Sequence, residues 1–155
     1  MKRLLRCGGL ILALMVATLV IVGVFLRKSS SPFSDFPSAL KQEVESAMQL
    51  EFPPSSRLLN FDRQCGLDML IRVKVAMDRK ELQSFLLDSP FTYEELDAKR
   101  RYCNNHERDY RWWRPGSSQG FISGQKTLRN TECLNILVDL DGEEVVVVYL
   151  EWFET

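Results

Sequence analysis

The stretch Cys133–Phe153, CLNILVDLDGEEVVVVYLEWF, decides the fold. It holds two apolar runs, Cys133–Leu140 and Glu143–Phe153, parted by Asp141-Gly142. β-Branched and aromatic residues suit strands, and Asp-Gly is a dipeptide of the two-residue hairpin turn. Such a turn sets Leu134 opposite Tyr149, Ile136 opposite Val147 and Val138 opposite Val145. These six share one face, which is expected to be the core. The opposite face carries Leu137, Val146, Val148, Leu150 and Trp152. That face is too apolar to meet water, so a further segment must cover it. The Tyr110–Pro115 segment is the expected cover.

Working outward, Leu67–Met77 (LDMLIRVKVAM) alternates with period two. Leu67, Met69, Ile71, Val73, Val75 and Met77 form one face of a half-buried strand, and Asp68, Leu70, Arg72, Lys74 and Ala76 form the other. Arg57–Phe61 is expected to pair with it as a short strand, with Asp62–Gly66 as the turn. Leu40, Val44 and Met48 recur at helical spacing after Pro37, with Ser34 or Asp35 as the cap, and the helix must end before Phe52-Pro53-Pro54. Asp78–Glu81 has the pattern of a capping box before Leu82, Phe85 and Leu86, and Thr92–Glu95 repeats it before a short helix from Tyr93 to about Arg101. Residues 102–130 carry no sustained period; Arg111–Arg114 is the one short strand expected among them. The resulting fold class is α+β: an N-terminal transmembrane helix, then a small domain with an antiparallel sheet of about four strands and helices on one face.

The transmembrane expectation rests on Cys7–Leu26, twenty residues without a charge. As a helix this run is ~30 Å long, the thickness of a bilayer's hydrocarbon core. Its end, Val24-Phe25-Leu26-Arg27-Lys28, is bulky and then basic where a signal protease needs small residues, so residues 1–28 read as an uncleaved signal-anchor. Residues 29–35 read as a linker and 36–155 as one domain. Lys2, Arg3 and Arg6 precede the run and Arg27 and Lys28 follow it. This excess orients the N-terminus to the cytoplasm and the domain to the extracytoplasmic side. The expected partners are therefore the bilayer, through residues 7–26, and a protein or envelope polymer.

All five charged residues of Met1–Lys28 are basic, so the rest of the chain carries 15 basic against 21 acidic residues, a net of −6. That balance disfavours nucleic acid as a partner. No Gly-x-Ser-x-Gly elbow, His-Glu-x-x-His, Walker A or dinucleotide loop occurs. Asp139–Gly142 resembles a calcium-loop opening without the ligands that should follow, and reads as a turn. No cofactor is expected.

Three cysteines, Cys65, Cys103 and Cys133, follow the linker, so at most one pair can form among them; Cys103–Cys133 is the first choice, against three free thiols. Cys103 and His106 have one Cys-x-x-His spacing, the basis of an alternative reading as a tethered hydrolase or metal-dependent enzyme. The most distinctive composition is Arg108, Tyr110, Arg111, Trp112, Trp113 and Arg114, close behind Lys99-Arg100-Arg101. Interleaved guanidinium and aromatic groups suit a binding surface. A two-sided sheet needs a cover, so the first reading of the segment itself is a plug, Trp112 or Trp113 on the second sheet face with the arginines paired to Glu94, Glu95, Glu107 and Asp109. The leading expectation is a non-enzymatic binding or envelope-complex assembly module that makes contact through this segment.

Overall fold

The computed structural model describes residues 36–66, 68–103, 111–129 and 131–154. The apolar run 7–26, its flanking charges, the linker, the cap candidates Ser34 and Asp35, and also Leu67, His106, Arg108 and Tyr110, lie outside the described residues. No helix among the described residues is long and apolar enough to cross a membrane.

The α+β expectation holds. Helix α1 (Ser38–Met48) is followed by β1 (Arg57–Cys65), β2 (Met69–Asp78), helix α2 (Leu82–Leu87), β3 (Phe121–Arg129), β4 (Glu132–Asp139) and β5 (Val145–Glu154). The sheet has five strands rather than four, in the antiparallel order β1-β2-β5-β4-β3.

Period-two patterning places β2 as expected: Ile71, Val73, Val75 and Met77 are buried in the main core, with Met69 packed against it. Val44 and Met48 of α1 and Leu82, Phe85 and Leu86 of α2 pack onto the same side. Three rings, Phe36, Phe52 and Phe85, tie the two helices together with centroids 5.1 and 5.9 Å apart. β1 runs on through Asp62–Cys65, where a turn was expected, because Asp62 pairs with Arg72 and Cys65 with Met69.

The hairpin register differs from the expected one. Leu134 faces Trp152, Ile136 faces Leu150 and Val138 faces Val148. A two-residue Asp-Gly turn needs positive φ, and Gln49 is the only described residue that has it. The chain instead makes a five-residue loop, 140–144, between β4 and β5. Tertiary bonds hold it open. The Asp141 carboxylate accepts from the N–H groups of Gln119 and Gly120 at 2.8 and 2.7 Å, and the Arg79 guanidinium donates to the carbonyls of Leu140 and Gly142 at 3.1 and 2.7 Å. The register moves by three residues, an odd number, so every β5 side chain changes face. Val146, Val148, Leu150 and Trp152 join the main core, while Val147 and Tyr149 turn to the second face.

Both expected capping boxes need revision. Asp78 makes no side-chain cap, and Ser55 stands between its N–H and the Glu81 carboxylate in place of the direct bond of a capping box. The Ser55 hydroxyl accepts from the Asp78 N–H at 2.9 Å and donates to the Glu81 carboxylate. At Thr92 the box with Glu95 forms, yet it starts only a single 3₁₀ turn, Tyr93–Glu95. The longer helix is lost because Leu96 packs into the main core and Asp97 exchanges two backbone bonds with Ser123 at 2.8 and 2.9 Å. The chain thereby wraps the exposed edge of β3. Gly124 lies under this wrap; a Cβ there would come within 2.8 Å of Leu96 and 3.3 Å of the Phe91 ring. Close approach of this kind is a reason for glycine inside a strand.

Candidate functional site

The second face of the sheet carries a row of polar residues that crosses all five strands. Cross-strand pairing places Asp62 (β1) beside Arg72 (β2), Arg72 beside Glu151 (β5), Glu151 beside Asn135 (β4) and Asn135 beside Gln125 (β3). Their side chains are linked along the row. Arg72 Nε donates to Glu151 Oε1 at 3.1 Å, Asn135 Nδ2 donates to Glu151 Oε2 at 3.2 Å, and Gln125 Nε2 donates to Asn135 Oδ1 at 2.9 Å. Asp62 completes it with a carboxylate oxygen 3.8 Å from the Arg72 guanidinium. The centre is dry, with Arg72 3 % and Glu151 2 % exposed, whereas Gln125 at the β3 edge is exposed. Burial of two charges is tolerable here because each is hydrogen-bonded as well as paired.

Trp113 closes the row from above. It is fully buried, lies 5.9 Å from the Arg72 guanidinium and meets Tyr149 edge-on at 5.3 Å. Cys103, Trp113, Leu137 and Tyr149 form a second core, with Trp112, Phe121 and Val147 packed against it. Two cations pin the cover. Lys74 Nζ donates to the Trp112 carbonyl at 3.2 Å and sits 5.0 Å from the Tyr149 ring centre. Arg101 donates to the carbonyls of Pro115 and Ser118 at 2.6 and 2.5 Å while stacking on Phe121 at 3.7 Å. Burial lowers the Lys74 pKa from its ordinary range, and Asp139 partly offsets this. Burial, then the Asp139 charge, pushes the Tyr149 hydroxyl up to about 12.

The expected cover of the second face is thus present, although Arg111–Arg114 forms a turn rather than a strand. Of the six expected contact residues, Trp113 belongs to the core. Its indole packs on the Arg72 guanidinium and the Tyr149 ring. Trp112 is half-buried and meets Trp113 edge-on at 5.5 Å. Arg111 and Arg114 are exposed, and neither guanidinium makes a hydrogen bond or ion pair with a described residue. Arg108 and Tyr110 lie outside the described residues.

Cys65, Cys103 and Cys133 are free thiols, so the expected Cys103–Cys133 disulfide is not made. Cys103 Sγ donates to the Tyr149 carbonyl at 3.6 Å, and Tyr149 lies opposite Leu137. Cys133 is four residues along the same strand, so at a rise of ~3.4 Å per residue it sits about 13 Å away, far beyond disulfide reach. Burial raises the Cys103 thiol pKa well above its ordinary value, and the Glu151 charge raises it further. A thiol in that state is a poor nucleophile, since the thiolate is the reactive form. His106, its partner in the enzymatic reading, lies outside the described residues. No group of three or more His, Cys, Asp or Glu among the described residues is placed to hold a metal ion.

The polar row is the feature that sequence reasoning missed. Its signal was present: Arg72, Asn135 and Glu151 each interrupt an apolar strand. Only pairing, across up to 79 residues for Arg72 and Glu151, brings them into one line.

No protein-family model matches this chain, and no curated protein or solved structure is significantly similar to it.

Proposed function

We propose that this chain is a single-pass membrane-anchored protein with an extracytoplasmic, non-enzymatic domain that binds a partner or helps assemble an envelope complex. The contact is made by Arg111, Trp112 and Arg114, with Arg108 and Tyr110 on the same segment. One observation carries this reading. Trp113 is locked into the second core, so Arg111 and Arg114 flank a fixed point and stand exposed without described partners. A rigid base lowers the ordering cost of binding, and arginine beside an aromatic ring is a common anchor of interfaces. The half-exposed Trp112 supplies that ring.

Two measurements test the reading. Cys65 is exposed, Cys133 is half-buried and Cys103 is buried, so a membrane-impermeant maleimide applied to intact cells should label the chain at Cys65 and Cys133, and Cys65→Ser combined with Cys133→Ser should remove that label. Labelling only after lysis would place the domain on the other side. Photo-crosslinking from residue 111 in intact cells should give a discrete adduct that Arg114→Ala abolishes. An adduct unchanged by Arg114→Ala would remove the segment from the contact. Arg111→Ala with Arg114→Ala should change stability by less than about 0.5 kcal/mol each, because exposed side chains contribute little to folding.

A further inference from the structure

Two large hydrophobic side chains are exposed among the described residues, Leu87 at 78 % and Tyr93 at 61 %. Both line a single groove of about 330 Å³, between the outer side of α2 and the chain that follows it. Leu86 and Pro90 add to its apolar wall, with Gln83 and Glu94 beside them. The inward side of α2 is already committed, since Leu82, Phe85 and Leu86 sit in the main core. Leu87 and Tyr93 belong to neither core cluster, and paired exposure of this kind marks a contact surface.

The path of the chain indicates what lies against it. Nine residues, 27–35, separate Leu26 from Phe36. Fully extended, that linker reaches no more than about 35 Å. Its far end is placed by the Phe36 ring, which contacts Phe52, which in turn stacks on Phe85 of α2. Phe36, the first described residue, thus packs on the helix side of the sheet, the side that carries the groove. A largely exposed tyrosine and a leucine lining the same groove are a pair that a lipid headgroup boundary favours.

We infer that Leu87 and Tyr93 seat the domain on the bilayer that anchors it, with the groove against the headgroup–acyl boundary of zwitterionic lipid. This rests on the membrane-anchored reading proposed above. Glu94 beside the groove, and the net charge of −6 outside residues 1–28, select a zwitterionic over an anionic surface. The second face of the sheet, with Arg111 and Arg114, is then turned away from lipid and open to a partner.

The test uses the full chain in dioleoylphosphatidylcholine vesicles. Leu87→Trp and Tyr93→Trp each add one indole at an exposed position, and Gln119→Trp adds one at an exposed position beside the Asp141 loop. The wild-type chain in the same vesicles supplies the emission of the native Trp112, Trp113 and Trp152 for subtraction. Acyl-brominated phosphatidylcholine should quench the added indole at 87 and 93 about twofold or more, as for a side chain held at the acyl boundary. Aqueous acrylamide should quench these two weakly, and the indole at 119 should show the reverse pattern. If 87 and 93 behave like 119 while the chain resists alkaline carbonate extraction, the groove does not meet lipid and the anchor stands alone. If carbonate strips the chain from the vesicles, the anchor itself fails and the inference falls with it.

Discussion

On the helix side of the sheet, β2, β5 and β4 bury Val73, Leu150 and Ile136 side by side. One step along, on the other side, the same strands bury Arg72, Glu151 and Asn135. The helix side and the centre of the second side are both dry, for different reasons. The helix side excludes water with aliphatic and aromatic bulk that α1 and α2 complete, and that packing is non-directional. The second side satisfies a charged pair with a hydrogen-bonded line and then caps it with Trp113. Aliphatic contacts can slide by one pleat with modest loss. A line of five residues, each on its own strand, comes into register in one pairing only. Such a row therefore favours register specificity, which is the best-attested use of buried polar groups.

The sharpest way to break this contrast is to remove one member of the buried pair. Glu151→Ala should cost about 3–5 kcal/mol, because it leaves the Arg72 charge buried without its main partner. Arg72→Met combined with Glu151→Leu should recover part of that loss, since the central charged pair is gone and only the Asp62 carboxylate at the β1 end of the row remains charged. Urea unfolding of the detergent-solubilised chain, followed by Trp fluorescence, measures both. Equal losses in the single and double variants would mean that the row has no electrostatic coupling.

A second comparison sets the two cores against each other. Trp113→Ala and Leu150→Ala should both be destabilising, by about 3–5 and 2–5 kcal/mol respectively, as large-to-small changes in packed interiors. Their consequences should differ. Loss of Trp113 should also raise the reactivity of the Cys103 thiol toward alkylating reagents, since both belong to the second core. Leu150→Ala should leave Cys103 protected at concentrations of urea where the chain stays folded. Equal Cys103 protection in the two variants would show that the cover does not depend on Trp113.

The smallest expected effect concerns the loop that decides which face each β5 residue takes. Backbone N–H groups of Gly120, then Gln119, hold the Asp141 carboxyl below its ordinary pKa. A group with a depressed folded pKa stabilises above its unfolded value and loses that contribution as pH falls through the folded value. The difference in Tm between the wild-type chain and Asp141→Ala should therefore be largest above about pH 5 and should close toward about pH 2. A difference that stays constant across this window would mean that the carboxylate does not hold the loop.

Much of this architecture is legible from local pattern. Strict alternation in Leu67–Met77 announces β2 and assigns its helix-side face correctly, because a period of two depends on the strand alone. Helices α1 and α2 follow from apolar spacing and from the prolines and polar residues around them. β3 escaped because FISGQKTLR has a glycine in its middle and weak alternation; it becomes a strand through pairing with β4 and through the Asp97–Ser123 wrap. Among the expected contact residues, Arg111 and Arg114 kept their exposure, whereas the fate of Trp113 depended on what the second face lacked.

The sequence by itself determined that β2, β4 and β5 are strands and α1 and α2 helices, the side of β2 and β4 that meets the helices, and the charge-free run at residues 7–26. These are properties of near neighbours along the chain. The tertiary structure decided the length of the 140–144 loop, and with it the face of every residue in β5. It also decided that Asp62, Arg72, Glu151, Asn135 and Gln125 form one row, and that Trp113 covers it. The physical reason is common to all of these. An odd shift of register costs nothing locally but exchanges the two faces of a strand, and the contacts that fix it come from Arg79, Gln119 and Gly120, far away in sequence.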